Sequence, residues 1–150
     1  MSVASVVVSA AVIWRGDELL LTRRREGDSL AGMWEFPGGK LEAGEDPRDT
    51  ARRECQEECG IEVRVRDILE VAFHRYPEKD VLLLFYDAEW VAGEVQHLEV
   101  ADHAWVLPAD LGRYPLPPAD VGVVEKIQRR AALGGPARAA ESLDTPGGPR

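Results

Sequence analysis

Residues 38–61, GGKLEAGEDPRDTARRECQEECGI, decide how this chain is read. Their punctuation is that of a Gly-rich turn followed by a capped helix. Asp46 stands at the N-cap, Pro47 suits the first helical position, and Asp49 is placed to complete a capping-box-like pair. Gly60 ends the helix, since glycine takes the left-handed conformation without steric cost. The spacing therefore predicts a helix over 47–59. Glu54, Glu57 and Glu58 fall at i, i+3 and i+4, so one helix face carries three carboxylates. Like charges at these spacings repel by about 0.2–0.5 kcal/mol per pair in solvent, and by more in a cleft. Two readings are open from spacing alone. The face is either an acidic, solvated surface or one that closes on a cation. Oxygen-only donors, with positions left over for water and phosphate, suit Mg²⁺, with Mn²⁺ as a substitute.

Working outward, Gly39, five residues, Glu45, seven residues, Arg53-Glu54-Cys55-Gln56-Glu57-Glu58-Cys59-Gly60-Ile61 resembles the Nudix box, GX5EX7REUXEEXGU, where U is bulky and apolar. Every fixed position is matched, and one apolar position departs mildly: Cys55, which a buried free thiol can fill as a small hydrophobe. The resemblance implies a Nudix hydrolase, a divalent-metal enzyme that cleaves a diphosphate linked to another group. It implies further that Glu54, Glu57 and Glu58, with a backbone carbonyl of Gly38 or Gly39, hold the cation. Glycines 38 and 39 are expected to make a tight turn that brings backbone close to phosphate. Arg53, a guanidinium among acids, is expected to orient Glu45 and Glu57 rather than touch substrate. Glu45 is thereby a supporting residue, or the base. The water needs a base within hydrogen-bond reach: Glu54 inside the box, or Glu99 outside it. Glu99 resembles in position a loop glutamate that MutT-type members place over the metal; the other reading is a solvated loop acid.

At 150 residues and 45% hydrophobic, the chain is long enough for one domain with a real core. That domain is expected over 1–133, with a disordered tail over 134–150, where four Gly and three Pro fall in 17 residues. A net charge of −9 argues against a nucleic-acid partner, whose backbone is gripped by clustered Lys and Arg. Much of that acid lies at the box: from Lys40 to Glu58 there are seven acids and four bases. Cys55 and Cys59 lie one turn apart and suggest neither a disulfide framework nor a tetrahedral zinc site; reduced thiols in a cytoplasmic protein are the plain reading. No basic region leads an apolar stretch at the start, and residues 6–14 are too few to span a bilayer, so no membrane partner is expected. Monomer and homodimer both stay open.

Residues 3–14 read as a buried strand, 15–17 as a turn and 18–24 as the returning strand of a hairpin. A loop over 30–35 carries Trp34. Residues 61–76 alternate as a strand that Asp67 interrupts, 80–91 as a central strand that Gly93 ends, and 103–107 as a short strand. Residues 108–111 suit a helical turn. Residues 118–133, with apolar side chains at 121, 124, 127 and 131, suit an amphipathic terminal helix. The pattern predicts an α+β fold, an α/β/α sandwich, which the resemblance sharpens to the Nudix fold with a mixed sheet between helices. Trp14, Trp90 and Trp105 are expected in the core. His74, His97 and His103 show no ligand spacing and are expected to be structural or solvated.

Substrate choice rests outside the box. Residues 32–40, GMWEFPGGK, resemble the MutT-like branch, which takes nucleoside triphosphates to the monophosphate plus pyrophosphate. Arg23 matches where that branch keeps a nucleotide-contacting Arg, against a solvated strand-end Arg. Phe36 either stacks on a base or packs in the core. In residues 114–120, YPLPPAD, Asp120 stands where readers of 8-oxo-dGTP often carry Asn. An ionised Asp only accepts hydrogen bonds and suits an exocyclic amine, such as cytosine N4 or adenine N6. The same Pro-Ala-Asp occurs in a CTP pyrophosphohydrolase-like group. Asp120 could equally cap the terminal helix. Residues 76–77, Tyr-Pro, sit about where branches acting on ADP-ribose or dinucleoside polyphosphates carry a marker. Three functions follow: a nucleotide-pool sanitising triphosphate pyrophosphohydrolase, the favoured one; a Nudix hydrolase of another diphosphate; and a silent nucleotide sensor, which the intact box carboxylates disfavour.

Overall fold

The computed structural model describes residues 4–134. Seven strands, two α-helices and two 3₁₀ turns follow in the order β1 (Ala4–Arg15), β2 (Glu18–Arg23), β3 (Trp34–Glu35), β4 (Gly38–Lys40), α1 (Pro47–Cys59), β5 (Glu62–Arg75), β6 (Lys79–Ala92), β7 (Asp102–Val106), 3₁₀ turns at Pro108–Arg113 and Pro118–Asp120, and α2 (Val121–Ala132). Valine, isoleucine and leucine fill β1, β2 and β6, as expected of strands buried on both faces. β1 and β6 run parallel; every other pair is antiparallel. The path is β3-β2-β1-β6-β5, with β4 added on β1 and β7 on β2. β1 and β2 pair only at Trp14–Leu19 and Arg15–Glu18, beside the Gly16 turn. Beyond that they part, and the segment from β3 to β4 fills the wedge, β3 on β2 and β4 on β1. The expected break at Asp67 is a bulge: the β5–β6 register shifts between Val65 and Ile68 and again before Glu70.

Side-chain alternation gives the sheet two apolar faces. Ala11, Ile13, Leu20, Val63 and Ala88 meet Ala51, Cys55 and Cys59 of α1. Ala10, Val12, Trp14, Leu19, Leu21 and Phe85 meet Val123 and Ile127 of α2. This is the α/β/α sandwich, with a mixed sheet between helices. Each fully buried Ile or Leu contributes about 1.5–3 kcal/mol, and truncating Ile127 to Ala costs about 2–5 kcal/mol once the cavity is counted. Polar tethers add direction. Ser9 Oγ donates to Pro47 O at 2.6 Å and holds the first turn of α1 on β1. On α2, Lys126 Nζ donates to Leu69 O at 2.9 Å and Gln128 Nε2 to Pro108 O at 3.0 Å. Arg130 lies 3.6 Å from Asp87, a buried carboxylate that also accepts Trp14 Nε1–H at 3.1 Å.

Four local expectations change. Residues 34–35 are a strand, not loop, because β2 offers them a free edge. Gly38 and Gly39 are β4, not a turn: Ala10 and Ser9 of β1 face them, and a Cβ on Gly38 would run into that backbone. Asp49 completes no capping box; it accepts from Arg52 Nη2 at 2.8 Å, while Asp46 alone caps α1 by accepting Arg48 N–H at 2.8 Å. The buried stripe of α2 runs through 123 and 127, leaving Val121 54% exposed and Ala131 exposed, because the 3₁₀ turn at Pro118–Asp120 sets the helix phase. Trp14 is core as expected, whereas Trp90 and Trp105 are partly buried with Arg15 against both rings. Among the described residues, no helix is long and apolar enough to cross a membrane. The tail expectation lies, beyond Gly134, outside the described residues.

Candidate active site

α1 spans Pro47–Cys59 as its punctuation predicts, and Gly60 ends it at φ 67°. Ala51, Cys55 and Cys59 bury the inward face, which turns Arg53 and Glu57 outward and sets Glu54 and Glu58 along its edge, half-buried. Burial also pushes the Cys59 thiol up to about 12 and Cys55 upward as well, so neither is a thiolate at neutral pH. Arg53 is the hub. Its Nε and Nη2 donate to Glu45 at 2.8 and 2.9 Å, and its Nη1 reaches Glu54 at 3.2 Å and Glu57 at 3.1 Å. Glu45 also accepts from Thr50 Oγ1 at 2.7 Å and from Glu42 N–H at 3.1 Å. These donors, the Arg53 fork first, hold the Glu45 carboxyl down to about 2. A carboxylate so committed makes a poor proton acceptor.

The other carboxyls show the opposite stress. Burial, then the charges of Glu35 and Glu54, pushes Glu58 up to about 9. Its Oε1 is buried with no hydrogen-bond partner. Glu54 is raised by burial, relieved by Arg53 and raised further by Glu57 and Glu99. Gly39 is what admits Glu54 here, because a Cβ at 39 would occupy the place of the Glu54 carboxylate. Gly38 is thus required by its close approach to the β1 backbone, and Gly39 leaves room for the Glu54 carboxylate; neither serves a turn. An orphaned buried carboxylate oxygen, repelling acids and a side-chain-free cradle together fit a divalent cation held by oxygen. The residues that could hold it are Glu54, Glu57 and Glu58 with the backbone of Gly38 and Gly39.

Glu99 joins them from outside the box. The segment between β6 and β7 is bonded to the end of α1 through Gln96 N–H to Cys59 O at 2.9 Å, and Leu98 and Glu99 N–H to Glu58 O at 3.1 Å each. The Glu99 side chain is exposed, and its charge acts on both Glu54 and Glu58.

A second set of acids lies next to this one. Glu35, on β3, accepts Arg24 Nη1 at 2.8 Å, yet burial still raises its carboxyl. Its charge acts on Glu58 and on Asp120, so it stands between the two. Asp120 is 4% exposed and makes no side-chain cap to α2, which removes the capping role. Burial, then Glu35, pushes it up to about 7. Tyr76 is near enough for Asp120 to raise its phenol, after burial. Trp34 packs edge-on to Tyr114 at 4.9 Å and donates its backbone N–H to Pro115 O at 2.9 Å, closing residues 114–120 onto β3. Phe36 is 3% exposed and packs on Phe85, so its ring belongs to the core rather than to an open stacking platform. Arg23 is exposed at the end of β2, and it is its neighbour Arg24 that meets a pocket carboxylate.

Glu35 and Arg24 are the residues that sequence reasoning passes over. One signal was available: an acid set between Trp34 and Phe36, in a bulky apolar run, is a candidate for a buried carboxyl.

The chain is similar to known proteins over most of its length. A model of the NUDIX domain matches residues 4–127. The 8-oxo-dGTP diphosphatase of Escherichia coli K12 is 34% identical over 113 residues, 75% of this chain and 88% of that one. The CTP pyrophosphohydrolase of the same organism is 33% identical over 120 residues, 80% and 89%. The crystal structure of a MutT protein from Methanosarcina mazei Go1 superimposes with a TM-score of 0.79 at 29% identity, covering 87% and 98%. A box matched at every fixed position, an acid-lined α1 packed on a mixed sheet, and a family match over most of the chain lead to one conclusion: this protein belongs to the NUDIX family of hydrolases.

Proposed function

We propose that this protein hydrolyses nucleoside triphosphates to the monophosphate and pyrophosphate, with Mg²⁺ as its ion and Mn²⁺ able to replace it. Its service would be to clear damaged or modified nucleotides from the pool, and so to limit mutation. The observation that carries the reading is the buried, partnerless Glu58 oxygen among Glu54, Glu57 and Glu99. Glu54, Glu57 and Glu58 would hold the cation with a carbonyl of Gly38 or Gly39; when bound, it would supply positive charge to offset that of the phosphates and make water a better acid. Arg53 fixes Glu45, Glu54 and Glu57 in one arrangement, so that the charges need not reorganise as phosphate arrives. Glu99 is the base that draws the proton from water, supported by its place beside Glu58 and its exposure; Glu54 is the alternative.

Asp120 reads the base. A carboxyl at about 7 exists as acid and carboxylate together near neutrality. The neutral form donates to a purine carbonyl and the ionised form accepts from an exocyclic amine. Both kinds of base are therefore within its reach, in keeping with relatives named for 8-oxo-dGTP and for CTP. Arg23, at the exposed end of β2, is offered to the nucleotide, and Phe36 supports the wall from within the core.

The test is a hydrolysis screen with Mg²⁺ over dCTP, CTP, 5-methyl-dCTP, 8-oxo-dGTP, dGTP, dATP and ADP-ribose, in which pyrophosphate and nucleoside monophosphate are both measured. Triphosphate turnover that stops in EDTA and returns with Mg²⁺ or Mn²⁺ is expected. Full activity without metal would sink the mechanism, and cleavage of ADP-ribose alone would move the substrate to another diphosphate.

A further inference from the structure

The segment that carries Glu99 holds a second group of donors. His97 Nε2 and His103 Nδ1 are 2.8 Å apart, with the rings crossed at 61° and their centroids 5.1 Å apart. Asp102 Oδ1 lies 4.0 Å from His97 Nε2 and also accepts the His103 backbone N–H at 2.8 Å. One donor atom from each of the three lies within 4.8 Å of the others. The group is open to solvent, with the His97 and Asp102 side chains 41% and 51% exposed.

We propose that His97, Asp102 and His103 form a metal site for a divalent transition ion of the Zn²⁺ class, apart from the carboxylate site on α1. The donor set decides the class. Imidazole nitrogen suits Zn²⁺ and its neighbours, whereas Mg²⁺ takes oxygen. Three protein ligands leave a remaining position for water, as in an open zinc site. With Zn–N bonds of about 2.0–2.1 Å, tetrahedral geometry sets ligand atoms about 3.3 Å apart, so the histidine nitrogens need open only slightly. Burial and then the neighbouring His97 disfavour charge on His103; of the other groups acting on it, Asp102 and Glu94 favour a cation, and Arg15, packed over Trp105 at 4.1 Å, opposes it. The ligands flank Glu99 on both sides in sequence, so a bound ion closes the chain from 97 to 103 into a ring and steadies Glu99.

The experiment titrates Zn²⁺ into full-length protein saturated with Mg²⁺, following imidazole ¹H–¹⁵N resonances and amide exchange. The chain has three histidines, and His74 serves as the internal control. His97 and His103 should move together with one midpoint while His74 stays, and amides 94–101 should exchange more slowly. His97→Ala and His103→Ala should each weaken binding at least about tenfold, and Asp102→Asn by less. His97 is on an exposed loop, so its variant keeps the test alive if changes in β7 disturb folding. Glu57→Gln should leave this site's midpoint unchanged. Unmoved His97 and His103 up to ~1 mM Zn²⁺, movement of all three histidines at one midpoint, or a midpoint that follows Glu57 instead of His97 would each overturn the proposal.

Discussion

Two groups of acids lie side by side in this molecule and resolve their repulsion differently. On α1, Arg53 threads Glu45, Glu54 and Glu57 together, and Glu58 keeps an oxygen that no protein donor satisfies. Beside the Asp120 group, Arg24 supplies positive charge, and it goes to Glu35. Asp120 is left buried with its proton held up to about 7. On the function proposed above, the first group would receive a cation and the second would hold a proton. Residue type does not separate them, since all are carboxylic acids. What separates them is which counter-charge the surrounding backbone lets in.

Breaking the first group should have the largest effect. Glu57→Gln removes one charge from the cation face and should lower kcat/KM on the order of 10³-fold, with the circular dichroism spectrum unchanged. Activity within tenfold of wild type would take the α1 cluster out of the chemistry. A smaller effect is expected from Arg53→Lys, which keeps the charge but loses the fork. Activity should fall about 10–100-fold and the Mg²⁺ needed for half-activation should rise. The Glu45 carboxyl, read by ¹³C NMR, should climb from about 2 toward its ordinary value; a Glu45 that stays put would mean Thr50 and Glu42 suffice.

The smallest effect on rate, and the sharpest test of the second group, is Asp120→Asn. The folded-state value of about 7 lies above the ordinary 3.8, so the native form retains a proton that the unfolded chain gives up. Stability from this group is fully present below pH ~4 and is lost as pH rises through ~7. The variant should therefore run level with wild type in thermal melting below that window, gain on it across the window and hold a constant lead above it. Its base preference should shift by about tenfold and cease to depend on pH near 7. A wild-type preference that is flat with pH would show that Asp120 does not titrate against the base.

The parts of the molecule legible in the sequence are those fixed by neighbours along the chain. Asp46, Pro47 and Gly60 delimit α1 to the residue, and three acids at helical spacing announce their shared face. The rest depends on partners distant in sequence. Gly38 and Gly39 read as a turn because glycine most often serves one; here they answer to Ser9, Ala10 and Glu54 across the sheet. Asp120 reads as a cap because it precedes a helix, but a 3₁₀ turn reorients it inward. Glu35 acts on Glu58 and Asp120 only because β3 fills the gap between two parting strands. His97 and His103 show no motif at all, since a loop and a strand bring them together.

The fastening of α2 has a consequence for how ligands come and go. Lys126, Gln128 and Arg130 tie successive turns of the helix to β5, to the turn at Pro108 and to a buried acid of β6. If Asp120, at the head of that helix, reads the base as proposed, it does so from a wall ordered before any base arrives. A nucleotide then forfeits little freedom of the protein when it enters. Discrimination between bases should emerge in how long each one stays, with arrival rates nearly common to all.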